Sequence, residues 1–162
     1  AIYDGSDWIL EIDAGFSQQP SDIPQFFTKM LLGYDCVFGS RYCRGGKISN
    51  SSLNRRLISL GGTLLTNLLL GTKLKDMTSG FEMFSNLTLK YVLKKGIKSK
   101  YHFFQTEIKF HCRHLKVAEV PIHYKAASPS VHNAAIKDSL KNLWKLFCQR
   151  LFYFLPSKKL SK

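Results

Sequence analysis

The sequence predicts an α/β domain, a sheet flanked by helices, followed by a C-terminal basic amphipathic helix. Three observations carry that prediction. Short apolar runs alternate with helix-spaced segments through residues 8–124, the first three elements read strand, helix, strand, and the composition turns strongly basic from Lys125 onward. A strand, helix, strand order favours a parallel unit, because a parallel neighbour is reached only through a crossover. With 162 residues and 44% apolar content, the chain is long enough for one compact domain with a real core.

The elements follow in order. "WILEI" (8–12) and "CVFGS" (36–40) are apolar runs bounded by acidic or glycine residues, as fully buried strands tend to be. Between them "DIPQFFTKMLL" reads as a helix, with Ser21 as N-cap, Pro24 in its first turn and Gly33 closing it. From Ser51, Leu53, Leu57, Leu60, Leu64 and Leu68 recur every three or four residues, while Arg55, Arg56, Ser59 and Asn67 fall largely elsewhere, which predicts an amphipathic helix. Gly61 and Gly62 lie inside it and cost about 1 kcal/mol each relative to alanine, so a close contact or a bend is expected there. "NLTLKYVLKKG" (86–96) and "QTEIKFHCRHL" (105–115) read as helices, with His111 and His114 on the helix surface. "VAEVPIHY" (117–124) alternates like a strand, and Pro121 marks it as an edge. There is no internal repeat and no low-complexity tract.

Twenty-four Lys and Arg residues against 11 Asp and Glu give a formal charge of +13, which points to a polyanionic partner: membrane surface, nucleic acid or phosphorylated substrate. The four cysteines lack metal-ligand spacing and the density of a disulfide scaffold, and read as free thiols in a reducing compartment. No apolar run reaches the roughly 18 residues of a membrane span. "AIYDGSDW" carries no signal-peptide pattern and enters a strand almost at once, as in a chain that begins inside a longer one.

Residues 1–124 thus form the domain and residues 125–162 a tail. In the tail Ile136, Leu140, Leu143, Trp144, Phe147, Leu151 and Phe154 form one stripe, with Lys137, Lys141 and Lys145 on another face. That pattern fits a helix lying in a membrane interface, and equally a terminal helix docked on its own domain with solvated lysines.

Asp13 stands at the carboxyl end of the first strand, followed by Ala14 and Gly15. Ligands of open parallel sheets bind at such ends, and an aspartate there can hold a divalent cation against nucleotide phosphates, although the same residue is also a common turn former.

Read together, "LEIDAGFSQQPSDIPQFF", "DCVFGSRYCRGG", "SLNRRLISLGGTLLTNLLL", "KDMTSGFEMF" and "HFFQTEIKFHCRHLKVAEVPIHY" resemble, in order and spacing, the family 2 glycosyltransferases. Within them the likeness is to the dolichyl and polyprenyl phosphate mannosyltransferases. The resemblance implies a partial GT-A, Rossmann-like sheet that binds a nucleotide sugar and a divalent cation, Mg or Mn. It places Asp13 and Ser17 at the metal, with Gly15 where the family's second aspartate would stand. It places Arg41, Arg55 and Arg56 at an acceptor phosphate, a role that suits the planar guanidinium fork. It assigns catalytic roles to Asp76, in a tight polar loop between helices, and to Gln105 and Glu107 at the active-site floor. On an extended lead-in those last two could share a face. Many relatives carry Arg where this chain has Glu82. The family's nucleotide-binding portion precedes the Asp13 strand and is absent from this sequence.

The implied function is transfer of a hexose from a nucleotide sugar of GDP-mannose or UDP-glucose type to a polyprenyl phosphate, peripheral on the cytoplasmic face of a membrane. Membrane contact is assigned to Lys137, Lys141, Trp144, Lys145 and Phe147. One alternative is a hydroxyl acceptor, with Glu107 as base. Another is an inactive basic module that binds membrane or nucleic acid. Nucleic acid is not expected, because no strand face interleaves aromatic and basic residues for base stacking.

Overall fold

A computed structural model describes residues 4–125 and 133–154. The elements are β1 (Trp8–Glu11), α1 (Ile23–Leu31), β2 (Cys36–Ser40), β3 (Lys47–Ser49), α2 (Leu53–Leu70), β4 (Glu82–Ser85), α3 (Asn86–Lys95), α4 (Phe103–Cys112), β5 (Val117–Pro121), β6 (His123–Lys125) and α5 (Asn133–Phe154). Four strands form one sheet in the order β1-β4-β2-β5, and β3 pairs with β6 in a second, two-stranded sheet.

The strand, helix, strand unit is modified by an insertion. β4 lies antiparallel between β1 and β2, so those two run the same way without being neighbours. β2 also pairs in parallel with β5, Ser40 opposite Pro121, and the expected edge position of "VAEVP" is met. β2 is buried throughout, whereas β1 is only half-buried, because β1 is itself the other edge. The "DMTSGF" loop therefore leads from a helix into a strand, not into another helix.

Alternation along β2 and β4 divides the core. Val37 and Met83 face α1, packing with Phe26, Met30, Phe81, Val120 and Ile122. Cys36, Phe38 and Phe84 face the other way, against Val92, Ile108 and Cys112 of α3 and α4. Each fully buried aromatic or aliphatic side chain contributes about 1.5–3 kcal/mol to such a core. A third cluster joins Leu70, Phe103 and Phe110 to Leu143 and Leu146, which docks α5 on α2 and α4. All four cysteines are free.

Some local expectations shift. Asp22, not Ser21, occupies the cap position of α1, and its carboxylate instead accepts hydrogen bonds from the His123 backbone N–H and Nδ1. Side chains at Gly61 or Gly62 would meet open space, so the close contact expected there is missing. His111 is buried, and burial pushes its imidazole below the usual histidine range.

The largest difference lies in α2. Ser52 caps it by accepting from the Arg55 N–H, and Gly71 closes it in the left-handed region at φ 68°. A leucine stripe ordinarily faces a core. Here the buried residues are Thr63, Thr66 and Leu70, while Leu53 (75%), Leu57 (66%), Leu64 (72%) and Leu68 (75%) face outward.

Candidate functional site

Because β1 and β2 both run against β4, and β2 runs with β5, the carboxyl ends of three strands and the segment entering β4 meet at one end of the sheet. Asp13 follows β1 and Arg41 follows β2 at that end. The loop from Asp76 to Phe81 enters β4 there too. Strand carboxyl ends are where open α/β sheets bind ligands.

Asp76 is fully buried and Arg41 nearly so. Arg41 donates from Nε to Asp76 Oδ2 at 2.7 Å and from Nη2 to Oδ1 at 2.7 Å, and its backbone N–H adds a third bond to Oδ2 at 3.0 Å. Burial alone would raise the Asp76 pKa, but the Arg41 bonds overcome it and hold the carboxyl below the usual aspartate range. Nη2 donates further to Thr78 Oγ1 (2.5 Å) and Ser59 Oγ (3.1 Å). The guanidinium also lies over the rings of Tyr42 and Tyr124, at 5.3 and 5.2 Å from their centroids. The loop is held from below by Glu119, whose carboxylate accepts from the backbone N–H groups of Lys75 and Asp76.

The other sequence-assigned residues divide. Arg55 stands one turn before Ser59, on the face of α2 that touches Arg41, since residues four apart share a helix face. Arg56 turns toward β3 and donates from Nη2 to the Ile48 carbonyl. Gln105 and Glu107 are both helical, so they point in different directions and do not share a face. Gln105 packs on Gly80, where any Cβ would collide with its amide. Glu107 is buried and accepts from the Lys98 N–H, the Ser99 N–H and Ser99 Oγ, fastening the loop before α4.

Asp13 is exposed. Its N–H donates to Gln18 Oε1, and Gln18 Nε2 donates back to Oδ2. Oδ1 accepts nothing from the described residues. Phe16 between them sits at φ 56° and is 88% exposed, an uncommon conformation for a bulky residue. Ser17 is buried at the base of the same loop. Among the described residues no cluster of three His, Cys, Asp or Glu is placed to share a metal. The free carboxylate oxygen of Asp13 is a hard donor that fits Mg or Mn, ions that accept one carboxylate and take water and phosphate oxygens for the rest.

Sequence reasoning missed Lys109. It is buried on α4, donates to Glu82 Oε1 at 2.7 Å and to the Ser79 carbonyl at 2.5 Å, and lies over the Phe38 ring. Its only signal was a lysine flanked directly by Ile108 and Phe110, in a segment that otherwise mixes polar and apolar residues. Glu82, at the position of the charge reversal, thus faces a lysine inside the fold. Glu82 Oε2 has no partner among the described residues, and burial pushes its pKa up to about 7 despite Lys109.

On α5, Lys137, Lys141, Trp144 and Lys145 are exposed and Phe147 is half-buried against Trp144. The expected stripe splits, since Leu143 turns inward while Ile136, Leu140, Trp144 and Leu151 remain outside. Phe154's side chain and Lys158, Lys159 and Lys162 lie outside the described residues. No described helix is long and apolar enough to cross a membrane.

No family model matches the chain. It is 34% identical over 122 residues to an undecaprenyl-phosphate mannosyltransferase of Micrococcus luteus, covering 74% of this chain and 50% of that protein. That likeness agrees with the resemblance to the family 2 glycosyltransferases carried by the sequence motifs. A second relative, a polyprenol monophosphomannose synthase of Mycolicibacterium smegmatis, is 27% identical over 130 residues, covering 74% of this chain and 49% of that one. The chain spans about half the length of these relatives. The fold is that of a GT-A glycosyltransferase: glucosyl-3-phosphoglycerate synthase from Mycobacterium tuberculosis, solved with phosphoglyceric acid, superposes with a TM-score of 0.54 at 16% identity, over 92% of this chain and 51% of that one.

Proposed function

We propose that this chain is part of an enzyme that transfers a hexose from a nucleotide sugar to a polyprenyl phosphate at the cytoplasmic face of a membrane. The observation that carries the reading is Arg41. It is a guanidinium fixed at the ligand-binding end of the sheet, with Arg55 on the neighbouring helix face, in a relative of enzymes named for polyprenyl phosphate substrates.

The chemistry asks little of a base. The acceptor oxygen of a lipid phosphate is already anionic near neutral pH, so catalysis rests on holding it in line with the anomeric carbon and on stabilising the departing diphosphate. Arg41 and Arg55 would hold the phosphate. Asp13, with Ser17, would hold Mg or Mn, which when bound supplies charge neutralisation to the leaving diphosphate. Glu107, committed to Lys98 and Ser99, favours this acceptor over a hydroxyl that needs a base.

The membrane seat is read from α2 and α5 together. They pack side by side, Arg150 of α5 donating to the Leu68 and Leu69 carbonyls, and each leaves large apolar residues exposed on a chain of charge +13. Apolar surface beside lysines suits an anionic bilayer interface.

The test is labelled hexose transfer from GDP-mannose or UDP-glucose into vesicles holding polyprenyl phosphate. Asp13→Ala is expected to remove the cation-dependent part of the rate. Undiminished transfer by that variant would remove Asp13 from the metal site.

A further inference from the structure

We propose that Asp76 is a positioning residue for Arg41, setting the guanidinium so that one edge is presented to a phosphate monoester, and that it does not itself act on the sugar. The inference rests on the reading of Arg41 as an acceptor-phosphate group.

It follows from counting donors. A guanidinium has five N–H bonds. Nε–H and one Nη2–H go to the two oxygens of Asp76, and the second Nη2–H is shared by Ser59 Oγ and Thr78 Oγ1. The two Nη1–H bonds go to nothing among the described residues. The free donors are thus gathered on one nitrogen, and the plane that carries them is fixed by the carboxylate and by the rings of Tyr42 and Tyr124.

Asp76 has no capacity left for a substrate. It is 0% exposed, and its oxygens accept from the Arg41 Nε, Nη2 and backbone N–H and from the Thr78 N–H and hydroxyl. It is itself placed from β5, through Glu119 and the Lys75 and Asp76 N–H groups. The chain of support runs from β5 to the loop, from the loop to Arg41, and from Arg41 to the ligand edge.

Positioning and charge make opposite predictions. Asp76 cancels the charge of Arg41, so if charge governed, removing the carboxylate would tighten anion binding. If orientation governs, removal weakens it, because Asn turns an N–H toward a guanidinium N–H and the fork no longer closes.

The experiment titrates the full chain with farnesyl phosphate by calorimetry and follows the Arg41 Nε–H signal by NMR. Asp76→Asn is expected to weaken binding about tenfold and to lose the protected Nε–H signal, with Asp76→Glu recovering part of both. Binding by Asp76→Asn equal to or tighter than wild type, with Arg41→Ala still losing it, would overturn the positioning role. Wild-type binding by Arg41→Ala would instead overturn the underlying phosphate reading. Should Asp76→Asn not fold, the Ser59→Ala and Thr78→Val double variant keeps the carboxylate but removes the Nη2 hydroxyl supports. It is expected to bind about threefold more weakly, and unchanged binding would count against the proposal.

Discussion

Glu82 and Lys109 carry a charge pair into the centre of the domain, and the pair has a pH signature. Both are fully buried, and an isolated ion pair at such depth is weak evidence of stability, because desolvation offsets its attraction. The Glu82 pKa, near 7 when folded, lies above the ordinary glutamate value in the unfolded chain. A group whose folded pKa is raised contributes stability that is complete below the unfolded value and is lost as pH rises through the folded one. The wild-type melting temperature should therefore fall relative to that of Glu82→Gln between pH 5 and pH 8, measured by circular dichroism. A difference that stays constant with pH would mean Glu82 remains ionised throughout. At this scale the sequence named Arg41 and Asp76 separately, through motifs, yet their bond was not legible, since 35 residues separate them and no local pattern couples them. Lys109 was hidden for the converse reason. A lysine in a helix reads as solvated until its tertiary partner, Glu82 of β4, is known.

Among the elements, α2 holds the clearest lesson. Periodicity identified a helix and its leucine face but not the side on which that face lies, because the pattern records an angle around the axis and not what stands opposite. The domain takes the threonine side, and Leu53, Leu57, Leu64 and Leu68 are left outside. β3 and β4 were missed for a simpler reason: at three and four residues they are too short to display alternation, and β4 begins with a buried glutamate. β1, no longer than β4, was legible because Trp8, Ile9 and Leu10 run without a polar break, as Cys36, Val37 and Phe38 do in β2, and β5 continues into an alternating stretch. If the outward leucines insert into a bilayer, each contributes about 1.5–3 kcal/mol. Leu57→Glu with Leu64→Glu should then lower co-sedimentation with anionic vesicles at least about tenfold. Because both positions are exposed, stability should change by only about 0.5 kcal/mol per site. Unchanged sedimentation would move membrane contact elsewhere on the molecule.

Across the whole molecule, an antiparallel strand inserted between two parallel ones brings Asp13, Arg41 and the Asp76 loop to one end of the sheet. The α/β class and most helices were readable from spacing. The strand order was not, since it depends on a β4 with almost no local signature. The family resemblance supplied what periodicity could not, and the relatives of Micrococcus luteus and Mycolicibacterium smegmatis agree with it. The formal charge of +13 is a property of the entire chain and would draw it to any anionic surface, so charge alone does not distinguish an acceptor site from general adhesion. The most direct measurement is flotation of the full chain with vesicles of matched surface charge, with and without polyprenyl phosphate, for wild type and Arg41→Ala. The account predicts that polyprenyl phosphate raises the floated fraction of wild type and leaves that of Arg41→Ala unchanged. Equal flotation of wild type with and without the lipid phosphate would contradict it.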